Sequence, residues 1–296
     1  MRRALTPAFI AGLLATPAAA REPARDGHTS STDEVRPDDP TRETEDLRTD
    51  FTAYTRPRGR AAVGPLKIEL GILDEVTVGT YVPPWFAFAV LGTPAPNLYL
   101  KARSWWSGPL TLAVRGGFLY LDGSGIAELA DADASGSATV LTSEVDASLR
   151  LNPRVRVSLG FDYSHLVAVG SGTDVATSIE GASVADTGTV RLFAQWQLTR
   201  VFGLTFLTRY VAFQSPFGAD VSSESPGVVV SGDLSAARSS SGTRYAVVPG
   251  VSFDWTHWEF YLGVGYGTFQ IPAVGLPTTR ALPIVDLALA FRFDLF

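Results

Sequence analysis

The sequence predicts an all-β fold: a transmembrane up-and-down antiparallel β-barrel of about ten strands, with twelve as the other count the pattern allows. Three observations lead there. Past residue 65, apolar and polar residues alternate in runs of about ten, the period that gives a strand two unlike faces. Tight and long connections take turns between the runs. Charged residues within the runs keep to the face opposite the apolar one.

Composition agrees with this class and removes others. Of 296 residues, 46% are hydrophobic and 18% charged, below the ~25% charged of ordinary soluble domains. The lack of Cys excludes a disulfide scaffold, a zinc ribbon and a cysteine nucleophile. No stretch approaches the ~18 consecutive apolar residues of a membrane-spanning helix, which excludes a helical bundle in the bilayer. A net charge of −6 excludes an overall basic footprint, so no nucleic-acid partner is expected.

The chain opens with a positive Met1-Arg2-Arg3, a short apolar stretch over 4–15 and small residues ending in Ala18-x-Ala20. Residues 1–20 therefore read as an export signal. Residues 21–50 carry five Arg against ten Asp and Glu and hardly an aliphatic side chain. So polar a segment cannot bury enough surface to offset chain entropy and is expected to be a disordered acidic periplasmic tether. Residues 51–296 remain for the barrel.

Alternating runs occupy 75–82, 98–106, 110–120, 139–151, 153–168, 187–198, 201–214, 244–255, 257–270 and 284–296. Most exceed the ~9–11 residues that a tilted strand needs to cross a bilayer. The run 66–72 alternates as well. An even count would then need a partner within 51–63, where Pro57 and Pro65 argue against a strand, so ten is the preferred number.

The connections 106–109, 151–154, 198–201 and 255–258 are tight, whereas 122–138, 169–186, 215–243 and 271–283 are long. A soluble sandwich has no reason to sort its loops this way; a membrane barrel, with short turns on one side and long loops on the other, does. Trp105, Trp106, Trp255 and Trp258 gather at the tight turns, where an interfacial girdle belongs.

Within the runs, Lys101, Arg103, Arg115, Arg150, Arg156, Arg191, Arg209 and Arg292 fall opposite the apolar face. So do Glu144, Asp146, Asp162, Asp254, Glu259, Asp286 and Asp294. An Arg or Lys facing mid-bilayer lipid costs ~2–4 kcal/mol, which makes this segregation the signature of a lipid-facing exterior. A soluble sheet with one wet face also alternates, but no helix pattern or further sheet is present to cover its apolar side. The charges then point into the lumen, where they either pair as an ionic plug or line a narrow hydrated pore.

Other chemistry is sparse. Of three His, His28 lies in the acidic arm, His257 in a tight turn, and His165 on the lipid-facing parity beside Tyr163 and Val167. Ser164 points the other way, and no Ser sits two residues from His165 on its face, so a Ser–His–carboxylate relay is not indicated. Asp122, Asp131, Asp133 and seven further acids populate the long loops against Arg238 and Arg280, with no calcium-loop spacing. Gly263, Gly265 and Gly267 share the inward parity and leave a bare strip. No catalytic, cofactor or metal site is assigned.

The signal, the alternating strands, the loop asymmetry and the terminal Leu287-Ala-Leu-Ala-Phe-Arg-Phe-Asp-Leu-Phe296 together resemble bacterial outer-membrane β-barrel proteins as a class. Gly71-Ile-Leu-Asp-Glu-Val-Thr-Val-Gly-Thr80 is similar to a strand–turn–strand phrase of uncharacterised barrels of this type. The resemblance covers roughly residues 60–296. It implies residence in the outer membrane, contact with its lipids, and reading of strand 284–296 by the barrel-assembly machinery. Phe296 departs from the pattern by following the outward Leu295. The function expected is a small-solute pore or a structural barrel with a charge-paired lumen and no catalysis. A lipid hydrolase and a loop-mediated surface binder or adhesin are the alternatives.

Overall fold

The computed structural model describes residues 50–90, 95–105, 109–123, 134–174, 177–215, 217–225, 228–236, 244–270 and 277–295. The export signal, the acidic arm as far as residue 49, and Trp106 lie outside the described residues.

The barrel closes with twelve strands, not ten. They begin with β1 (Arg60–Val63), β2 (Lys67–Leu73), β3 (Val76–Tyr81), β4 (Asn97–Trp105), β5 (Leu110–Asp122) and β6 (Ala134–Asn152). After β7 (Val155–Asp174), β8 (Thr177–Gln197) and β9 (Phe202–Gln214), the hairpin β10 (Phe217–Ser225) and β11 (Val228–Ala236) intervenes. The wall resumes with β12 (Tyr245–Asp254), β13 (Trp258–Gln270) and β14 (Pro277–Asp294). Every neighbour is antiparallel. β9 pairs with both β8 and β12, and β1 joins β2 to β14, so no edge remains in the wall.

β1 is the strand that alternation alone did not secure. It has only four residues, yet pairs on both sides, with Val63 opposite Phe291 and Ile68. The two prolines that argued against it sit outside it, at 57 and 65, where a missing N–H costs no ladder bond. Gly59, at φ 77°, makes the turn into β1; its carbonyl accepts from Leu295 N at 2.9 Å.

At the long-loop end, the 169–186 connection turns out to be strand. β7 and β8 stay paired from Val155↔Trp196 up to Asp174↔Thr177. The lower part of β8 meets β9, and its upper part meets β10. Between β3 and β4, a short helix α1 (Val82–Val90) carries two prolines in its first turn, where their missing donors are harmless. Asn97 closes this link by bonding both Tyr81 N and Tyr81 O, at 2.6 and 3.0 Å.

The outer surface is an apolar band. Val145, Leu149, Leu159, Phe206, Val264 and Leu287 are all exposed on it. Trp196, Trp255 and Trp258 mark its tight-turn edge; Tyr120, Tyr210, Tyr245 and Tyr266 mark the other, roughly ten residues along their strands. Ten residues at ~3.3 Å each, tilted ~40°, rise ~25 Å, the height of a membrane barrel's apolar band.

Candidate functional site

What fills the barrel is the chain's own N-terminal segment. From Gly59 at the tight-turn rim, residues 58–50 run back up the lumen. The passage is tied at the rim: Arg58 N donates to Asp74 Oδ1 at 2.9 Å and Thr55 Oγ1 to the Asp74 carbonyl at 2.7 Å. Next comes Arg56, fully buried. Its guanidinium donates to both oxygens of Glu259, each at 2.9 Å, and through Nε to Glu69 Oε2 at 3.0 Å. Glu69 also accepts from Tyr99 Oη at 2.7 Å and pairs with Lys67 at 3.0 Å, and Lys67 in turn reaches Asp50 at 2.8 Å. Burying these charges is tolerable because each is paired and hydrogen-bonded.

Further up, Ala53 N donates to Ser148 Oγ at 2.7 Å and the Thr52 carbonyl accepts from Lys101 Nζ. The Arg156 guanidinium lies 5.1 Å from the Tyr54 ring centre. Phe51 packs against Phe193 at 5.9 Å, with Arg191 at 5.4 Å and Arg209 at 5.1 Å from its ring centre. Its φ of 63° is a left-handed conformation that a Phe adopts only when its surroundings hold it there.

The charged residues singled out from sequence parity face this lumen. Arg191 contacts Glu144, Asp146 at 2.5 Å and Asp162 at 2.9 Å. Arg115 pairs with Glu144 at 3.3 Å and lies 4.5 Å from the Tyr99 ring centre; Lys101 reaches Asp146 at 3.6 Å. Arg292 pairs with Asp254 at 3.1 Å, and Arg209 with Asp286 at 3.7 Å. Arg103, Arg150 and Asp294 stand towards the tight-turn rim. There Arg103 donates to the Asp74 carbonyl at 3.1 Å, Arg150 lies opposite Arg156 in register, and Asp294 meets Arg60 at 3.0 Å. The bare glycine strip has neighbours as well: a Cβ on Gly263 would strike the Tyr261 ring and Val248.

Two things were missed. The internal segment is one; its signal was the switch at residue 51 from an acidic arm to Phe51, Tyr54 and three Arg within ten residues. The other is Asp186, assigned to a loop but seated on the outer face of β8 directly across from His165. It accepts from Tyr163 Oη at 2.6 Å, lies 2.7 Å from His165 Nδ1, and its own N–H reaches Ser215 Oγ at 2.6 Å. No serine is hydrogen-bonded to His165 among the described residues.

No family model matches the chain, and no curated protein does. Solved structures do. The translocator domain of autotransporter NalP from Neisseria meningitidis aligns over 79% of this chain and 76% of its own, at 11% identity and TM-score 0.45. The P. putida toluene transporter TodX aligns over 80% of this chain and 67% of its own, at 10% identity and TM-score 0.40. CdiB from Escherichia coli follows at 81% and 64%, with 10% identity and TM-score 0.32.

Proposed function

We propose that this protein is an exported barrel of the Gram-negative outer membrane that acts as a small-solute pore, held shut at rest by its own residues 50–59. The apolar band between the Trp and Tyr girdles supports membrane residence, with the long loops outside and strand β14 engaging the assembly machinery. The observation that carries the closed state is Arg56, fully buried in the lumen and clamped to Glu69 on β2 and Glu259 on β13.

The physics of opening follows from the same contacts. Eight strands leave a barrel filled by side chains, whereas sixteen to eighteen enclose a water channel; twelve strands leave space that something must fill. Here the filler is a segment tethered at Gly59 and held mainly by polar contacts. Once it withdraws, Glu69 and Glu259 lose their guanidinium and take up water instead. Arg115, Lys101 and Arg191 would then stand beside Glu144, Asp146 and Asp162 in a hydrated constriction that sorts solutes by charge and size. The reading assigns no catalytic step.

Conductance in planar bilayers tests it. The full chain is expected to be silent, and a variant lacking residues 50–58 to show discrete steps. Equal conductance in both, or silence in both, overturns the reading.

A further inference from the structure

The ring of strands closes through β1, and there the wall is low. β1, β2 and β3 have four, seven and six residues, whereas β14 beside them has eighteen. A tilted strand needs ~9–11 residues to cross a bilayer, so these three stop short of the upper edge of the apolar band. The β1–β2 turn meets β14 at Leu289, whose carbonyl a Cβ on Gly64 would strike. Above that point no strand pairs with β14 on this side among the described residues, while β13 accompanies it on the other as far as Pro277.

The gap lies at membrane depth. Its edge includes Val285, opposite Val264 of the apolar band, and Pro283, opposite Tyr266 of the upper girdle. Arg292 N donates towards β13, to the His257 carbonyl, and Leu295 N donates the other way, to that of Gly59. By alternation, the backbone groups of Leu287, Val285 and Pro283 face the gap. Unpaired backbone is costly in hydrocarbon and is kept at this depth where it lines a cavity. Pro283 presents no N–H there, as suits a strand edge without a neighbour.

Both sides of the gap are apolar. At its sill, Val82 N donates to the Leu66 carbonyl at 2.9 Å and starts α1, whose sequence carries no charge and whose Phe86 is 70% exposed. Behind it, Ile284 of the same β14 edge is buried in a cluster with Phe193, Leu207, Ala246 and Val248. This is an apolar patch in a lumen otherwise rich in charge, and Phe51, at the tip of the internal segment, packs against it.

We propose that the low stretch over β1–β3 is a lateral portal, through which an uncharged apolar solute passes from the bilayer to this patch and takes the place of the Phe51 ring. The proposal deepens the pore reading by naming a solute class and its way in. Entry from lipid needs no ion current, so the two are tested apart.

The test folds the full chain into lipid vesicles and photolyses an uncharged aryl diazirine dissolved in the bilayer, with labelled residues located by mass spectrometry. Phe51→Gly removes the ring and accepts the positive φ of that position. Labelling of Ile284 and Val248 is expected to rise several-fold in Phe51→Gly over the parent chain, with the outward Val285 and Leu287 labelled alike in both. A sulfonated analogue of the probe, confined to water, is expected to leave the patch unlabelled. The proposal is overturned if Ile284 and Val248 stay unlabelled in Phe51→Gly while Val285 and Leu287 react. It is overturned equally if the sulfonated probe labels the patch as strongly, since entry would then be through the mouth of the lumen. Patch labelling in a protein that never conducts would sink the pore and keep the portal; conductance without patch labelling would do the reverse.

Discussion

Arg56 and Glu259 stand 203 residues apart in the chain and meet inside the lumen through two parallel hydrogen bonds of 2.9 Å. The pairing joins the internal segment to β13, on the far side of the barrel seam from β2, where Arg56 also holds Glu69. One side chain thus bridges the start of the barrel and its end.

Replacing Arg56 by Ala leaves Glu259 buried without its cation. Breaking such a pair costs about 3–5 kcal/mol, and urea unfolding of the refolded protein is expected to show a loss of that order. Arg56→Met combined with Glu69→Gln and Glu259→Gln leaves no unpaired charge at the clamp, and is expected to regain most of the loss. A triple variant as weak as Arg56→Ala would mean that the charges are not what is buried there.

Gly71 on β2 lies hard against the internal segment. A Cβ there would lie 2.6 Å from the Arg56 carbonyl oxygen and closer still to that of Pro57. Gly71→Val suits a strand and leaves every charged residue of the clamp unmutated, yet it pushes the segment away. More frequent openings than in the parent chain are expected in bilayer recordings, with heat-modifiable migration on gels retained.

Leu159 lies near mid-height on the outer face and is 55% exposed. Leu159→Arg is expected to cost ~2–4 kcal/mol of folding free energy in lipid vesicles, against ~0–1 for Trp255→Arg at the interface. Equal costs at the two positions would contradict a membrane band.

The hairpin β10–β11 pairs with the upper part of β8, at Ser178–Val184, while β8 meets β9 separately from Thr187 onward. Deleting residues 217–236 is therefore expected to leave the closed wall intact. Thermal unfolding in detergent should shift by only a few degrees; loss of the folded band on gels would mean that the hairpin is part of the barrel's closure.

Much of the wall was legible because alternation is a local property. Leu159, Phe161 and Tyr163 betray an outward face by their spacing alone, and Asp162 an inward one. Parity tells which face a side chain takes, but neither its height nor its neighbour around the ring. That Arg191 meets three carboxylates while Arg209 meets one loosely depends on strand stagger, which no single run contains. β1 was hard to see for a related reason: four residues show little alternation, and Val63 becomes a strand residue only when Phe291 arrives to pair with it. The internal segment has no period at all. Thr52, Ala53 and Tyr54 are buried all round, and their partners Lys101, Ser148 and Arg156 lie far along the chain. Asp186 misled for the opposite reason: a carboxylate on a lipid-facing parity reads as loop until Tyr163 and His165 are found holding it.

The occupied lumen can be examined directly, because the chain contains no cysteine of its own. Ala53 N and Ser148 Oγ lie 2.7 Å apart, so Ala53→Cys and Ser148→Cys together place two thiols within reach of a disulfide. In protein folded into outer membranes, mild oxidation is expected to link them, giving a band whose mobility changes on reduction, while neither single variant does so. Two thiols that stay unlinked, and that both react with a water-soluble maleimide as freely as exposed cysteines, would show that residues 50–59 do not lie inside the barrel.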